Sequence, residues 1–238
     1  MRFPDKAIVL QNIRHGDKRH IIRLYTRSHG LLTVITSVGK TPQSKVRASN
    51  VLPLAIINTE LVVKQNKEIH QLTEASAAVV LANIHNSLSK LSIAQFLNEV
   101  LIKSIKENQE NTPLFDFIES SLIYLNDAER DFVNLHIYFL VELSKHLGFE
   151  PQDNFSETTP FFDCREGCFT NISFTYPLGL SKAESLMFHE LLNRNILTTP
   201  LNKEQRHVLL DILLAYYRFH VPSFNELHSL DVLKEVMS

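Results

Sequence analysis

Arg19, Arg23, Tyr25 and Arg27 share one parity within a stretch rich in β-branched side chains. On an extended strand, residues two apart point to the same face, so this spacing predicts three guanidiniums and one ring on one surface. A guanidinium pairs with phosphate oxygens through its planar fork, and a flat ring gives a base something to stack on. Arg14 and Lys18 flank the turn before this strand; Lys40, Lys45 and Arg47 follow on a polar loop with Gln43 and Ser44. The candidate site is these eight cations with Tyr25, suited to backbone phosphates rather than to reading base edges. The bland alternative is a solvated face whose charges keep the domain soluble.

Other motifs do not hold up. Ser37-Val38-Gly39-Lys40-Thr41 resembles the end of a phosphate-binding loop, but the glycine required five places before Gly39 is Val34. The chain has no G-x-S-x-G elbow, no H-E-x-x-H helix and no G-x-G-x-x-G turn, so an enzyme reading has no residues to rest on. Cys164 and Cys168 could form half a zinc site, but only Asp163 or His189 is at hand to complete it, so no zinc or other cofactor is expected. The eleven histidines are dispersed, and His136 reads as a core or boundary residue beside Leu135 and Phe139. Arg206, Tyr217 and Arg218 are candidates for a partner pocket on chemistry alone, because an anionic, apolar peptide end wants a cation beside a hydrophobic surface.

The elements that must position the cations read as short strands. Runs at 7–13, 21–26, 31–36, 56–63 and 69–72 are separated by His15-Gly16-Asp17, Ser28-His29-Gly30 and the stretch 39–49. Five short β-branched runs at this length predict a small barrel, and a five-stranded barrel with a basic face is the OB-fold pattern. After Ala75 the period becomes helical. Ile93, Phe96, Leu97, Val100, Leu101 and Ile105 lie on one stripe. Thr112 is the expected cap of the next helix, with Pro113 at its first position. A stripe from Phe132 to Leu147 ends at Gly148; Ser181 opens a capping box with Glu184; Asn202 caps a further helix and Ser229 a last one. A hairpin over 161–170, turning at Arg165-Glu166-Gly167, interrupts the helices. The expected fold class is therefore α+β: an OB-fold barrel over residues 1–75, then an all-α helical domain over 76–238 with a small β-hairpin insertion.

Charge divides at the same place. The whole chain of 238 residues carries a net −2, which by itself argues against a polyanion partner. Residues 1–75 hold 12 Lys and Arg against 5 Asp and Glu, a net +7, and residues 76–238 hold 12 against 21, a net −9. Such asymmetry suggests two units with different partners, nucleic acid for the first and protein for the second. The chain has no run of about 18 apolar residues and no apolar leader, and its two cysteines make no disulfide framework, so a cytoplasmic location is expected.

Ala7-Ile8-Val9-Leu10, Leu24-Tyr25-Thr26 with Gly30-Leu31-Leu32, then Gly39-Lys40, Ser44-Lys45 and Leu52-Pro53-Leu54 follow in an order that resembles the N-terminal domain of the RecO family of bacterial DNA repair proteins. Phe96-Leu97-Asn98-Glu99-Val100-Leu101, Leu114-Phe115-Asp116 and Leu147-Gly148-Phe149-Glu150-Pro151 extend the resemblance over the whole chain. The resemblance implies a mediator, not an enzyme, that binds single- and double-stranded DNA, anneals strands and helps load recombinase onto coated strands near the nucleoid. It implies two protein partners, RecR and the C-terminal tail of single-stranded-DNA-binding protein. Many relatives carry a four-cysteine zinc element where this chain keeps Cys164 and Cys168. The alternative is an OB-fold protein scaffold or RNA-binding module.

Overall fold

A computed structural model describes residues 2–17, 19–41, 43–63 and 67–237. The chain divides into two compact units, Met1–Ser87 with Asn98–Asn126, and Leu88–Leu97 with Asp127–Ser238.

In the first unit five strands, β1 (Arg2–His15), β2 (Arg19–Thr26), β3 (Gly30–Ser37), β4 (Ile56–Val62) and β5 (Ile69–Val79), close in the order β1-β2-β3-β5-β4. All neighbours are antiparallel except β3 and β5, which run parallel. This is the OB-fold architecture. Alternation explains the interior: Ala7, Val9, Ile22, Leu24, Leu32 and Val34 point inward, and Val46 and Val51 from the β3–β4 connection join them. Full burial of each large aliphatic stabilises the fold by about 1.5–3 kcal/mol before the cost of ordering the chain. The change of charge at Ala75 falls inside β5, which continues to Val79.

A bulge between Val9 and Gln11 breaks the alternation of β1. Before it, Val9 faces inward opposite Leu24; after it, Asn12 faces inward opposite Ile22, so even positions replace odd ones. The bulge sets which side chains of the β1–β2 hairpin reach solvent.

Three helices belong wholly or partly to this unit: α1 (Ala82–His85), the C-terminal part of α2 (Leu88–Ser104), and α3 (Thr112–Asp127). The cap of α3 is Asn111 rather than Thr112: the Asn111 side chain accepts from the Leu114 N–H at 3.1 Å. One face of α3 lies on the outside of the barrel. Phe115 stacks on Tyr25 with ring centroids 6.1 Å apart, Asp116 pairs with Arg27, and Glu119 pairs with Lys6. Glu119 follows Phe115 by four residues and Asp116 by three, spacings that bring these side chains to one helical side. The segment before α3 runs along the β2–β3 turn, where the Leu31 N–H donates to the Glu107 carbonyl at 3.2 Å. Gly30 there has φ +65°, and a Cβ on it would run into the backbone of Gln109.

The second unit contains α4 (Leu135–His146), the hairpin β6 (Phe161–Asp163) and β7 (Cys168–Thr170), α5 (Lys182–Leu192), α6 (Lys203–His220) and α7 (Ser229–Val236). The anticipated capping box of Ser181 with Glu184 forms, and Asn202, expected as a simple cap, forms a box of its own with Gln205. Ser229 is the first helical residue of α7, not its cap, because His228 occupies the cap position. Tyr217 on α6 is fully buried and donates to the Leu140 carbonyl of α4 at 2.7 Å. Neighbouring Tyr216 donates to the Phe149 carbonyl and packs edge-on to Phe162 of the hairpin. His136 is also core, 2% exposed and edge-on to Phe96.

Candidate nucleic-acid interface

The outer face of β2 and β3 carries the free cations. Arg19 lies opposite Ser37 and Arg23 opposite Thr33, with Ile21 between them opposite Ile35. Arg19 is exposed and Arg23 half-buried, and neither forms an ion pair among the described residues. A shallow cleft of about 580 Å³ opens beside them along the β3–β5 seam, lined in part by Arg19, Lys45, Ser37, Gln71, Ile35 and Ile69. The cations supply charge and the amide and hydroxyls supply neutral donors, a set that matches the oxygens of a phosphodiester chain. Gln71 carries no mark in the sequence, and Ser37 only its place in the rejected phosphate-loop resemblance. They join the site through the parallel pairing of β3 with β5, which strand propensity does not encode.

The remaining candidates scatter. Arg27 keeps the parity of Arg19 and Arg23, but its guanidinium forks onto Asp116, with both N–O distances at 3.1 Å. That pairing holds the Asp116 carboxyl below its ordinary range, first through the hydrogen bond from Arg27. Tyr25 has the predicted parity without the predicted exposure. It is 1% exposed beneath α3, and burial pushes its hydroxyl well above the ordinary phenol range. A ring so placed offers no face to a base. Arg14 pairs with His20 across the hairpin, one position out of step with Arg19, and folds over the turn to the carbonyls of Gly16 and Asp17 at 3.1 and 3.3 Å. Lys18 lies outside the described residues. Lys40 and Arg47 are exposed on the β3–β4 connection; Lys45 is exposed but holds Glu74 at 2.5 Å, lowering that carboxyl's pKa.

The three partner-pocket candidates do not converge. Tyr217 is core, and Arg206 and Arg218 stand twelve residues apart on α6, about 18 Å along the axis at 1.5 Å per residue. Arg206 donates to the Leu201 carbonyl at 2.6 Å, while Arg218 is exposed.

The two residues that could join Cys164 and Cys168 around a zinc ion are engaged elsewhere. Asp163 is engaged by Arg165 at 2.9 Å, and His189 Nδ1 faces Asp153 at 2.6 Å. Burial, with Asp163 and Glu184 adding to it, pushes the Cys164 thiol up to about 12. Among the described residues no group of three or more His, Cys, Asp or Glu side chains is placed to hold a metal ion. No helix among them is long and apolar enough to cross a membrane.

Two family models cover nearly the whole chain: "Recombination protein O N terminal" matches residues 1–81 and "Recombination protein O C terminal" residues 85–231. The DNA repair protein RecO of Phocaeicola vulgatus is 32% identical over 235 residues, covering 98% of both chains. That of Flavobacterium johnsoniae is 32% identical over 241 residues and 100% of both chains. That of Bacteroides fragilis is 32% identical over 234 residues and 97% of both.

Proposed function

Since the chain belongs to the RecO family, we propose that it is a DNA repair protein acting as a recombination mediator, a binder of DNA rather than an enzyme acting on it. In this reading the barrel takes up single- and double-stranded DNA by its phosphates, promotes annealing, and helps place recombinase on strands coated by single-stranded-DNA-binding protein. The carrying observation is that Arg19 and Arg23 share one outer barrel face with no carboxylate partner among the described residues. Two cations left unneutralised on a sheet repel one another and gain from an anion laid across them. Lys40 and Arg47 extend the positive field, and Lys45 joins if a phosphate displaces Glu74. Neither zinc nor another cofactor enters the mechanism.

The helical unit serves protein partners in this reading, RecR and the acidic, apolar tail of single-stranded-DNA-binding protein. Arg218 supports the second. It is an exposed cation in the last turn of α6, free to meet an anionic peptide end. The protein works in the cytoplasm, at the nucleoid.

Titration of fluorescently labelled single-stranded DNA at two salt concentrations tests the proposal. Binding that weakens as salt rises is the expected result. Absence of DNA binding, together with protein partners that survive nuclease treatment of an extract, would assign the barrel to a protein scaffold instead.

A further inference from the structure

Alternation leaves three isoleucines on the solvent side of the barrel. Ile13 lies directly opposite Ile21, and Ile21 directly opposite Ile35, so the three form one row across β1, β2 and β3. The bulge at Val9/Gln11 turns Ile13 outward; without it, the odd positions of β1 would point into the core beside Val9. Ile13 is 49% exposed and Ile21 and Ile35 are half-buried beside it, while Ile69, the partner of Thr33 on β5, is 45% exposed. Scattered exposed aliphatics are ordinary on a protein surface, whereas a registered row is a surface of its own.

Charge surrounds this row on both sides. Arg19 stands two residues along β2 from Ile21 in one direction and Arg23 two residues in the other. The two cations are therefore about 13 Å apart, with the apolar row midway between them. None of the residues opposite them, His15 and Ser37 for Arg19 and Gln11 and Thr33 for Arg23, is acidic. A protein partner made of apolar side chains would gain nothing from flanking arginines. A single strand of nucleic acid presents what the face presents in complement: anions along its edge and flat apolar rings between them.

We propose that the Ile13–Ile21–Ile35 row is the platform on which unpaired bases lie while Arg19 and Arg23 hold the phosphates on either side. This rests on the DNA-binding function proposed above and specifies how the same face favours single strands. Bases stacked and paired within a duplex cannot turn their faces to the sheet, so a duplex meets the arginines alone. The row takes over the part that a stacking aromatic commonly plays, Tyr25 being covered by α3.

Fluorescence anisotropy with two labelled probes of equal length, oligo-dT and an abasic deoxyribose-phosphate strand, separates the two contributions. Wild-type protein is expected to bind oligo-dT about tenfold more tightly than the abasic strand. The variant Ile13→Thr/Ile21→Thr/Ile35→Thr keeps β-branched side chains on the strands, and should bind both probes alike with an unchanged salt dependence. Single Ile21→Thr, checked for its fold by circular dichroism, should lose part of the ratio. A triple variant that keeps the wild-type ratio overturns the platform while leaving phosphate binding by the arginines intact. Wild-type protein that binds neither probe overturns both.

Discussion

Arg19 and Arg27 show how little residue type says about role without its surroundings. Both are arginines of one strand and one parity, yet Arg19 faces solvent without an acid partner and Arg27 is locked onto Asp116. Tyr25 extends the contrast. If it packs against α3 and nothing more, Tyr25→Leu should lower stability by about 1–3 kcal/mol through the lost ring contacts. The folded variant should bind DNA with wild-type affinity; a large loss of affinity by anisotropy, at equal folded fraction, would show the ring to be a stacking surface after all. His136 gives a prediction of a different kind. Burial, with the nearby charge of Arg206, lowers its pKa from 6.5 to about 3. The unfolded chain therefore takes up a proton below about pH 6.5 that the folded chain refuses, so stability should fall as pH drops from about 6.5 toward 3 and level off beneath. The loss should be on the order of a few kcal/mol. Urea unfolding across this range should show a shallower fall for His136→Leu, and an identical pH profile would contradict the assignment.

Elements differ in how openly the sequence declares them. Alternation in β2 and β3, the capping box at Ser181 and the cap at Asn202 are local features, written in residues two to four apart, and the structure follows them. The cap of α3 was legible only to within one residue, since Asn111 and Thr112 are both good capping types. Here substitution discriminates: Asn111→Ala should cost about 1 kcal/mol in thermal or urea unfolding and Thr112→Ala only a few tenths. The reverse order would return the cap to Thr112. The bulge in β1 and the docking of α3 were not legible, for a physical reason. Each depends on partners distant in the chain, Leu24 and Arg23 for the bulge and Phe115, Asp116 and Glu119 for the helix. Parity therefore gave the correct face for Tyr25 and Arg27, and tertiary packing then covered part of that face. The Ile13–Ile21–Ile35 row is hidden for the same reason, because its members are adjacent only through strand register.

For the whole molecule, the net charge of −2 is the sum of a basic barrel and an acidic helical part, +7 over residues 1–75 and −9 over 76–238. In the proposed function, the basic barrel attracts the polyanion and the acidic helical part serves the protein partners. The attraction is electrostatic and must answer to salt in a way set by the number of phosphates engaged. The most direct test is therefore the affinity for labelled single-stranded DNA, measured by anisotropy over a range of salt, for the wild type, Arg27→Ala and Arg19→Ala/Arg23→Ala. Two lost phosphate contacts at roughly 0.7 each should make the log–log slope of the double variant shallower by about 1.4, on every sequence tried, while Arg27→Ala follows the wild type. A double variant with the wild-type slope and affinity would contradict the placement of DNA on this face of the barrel.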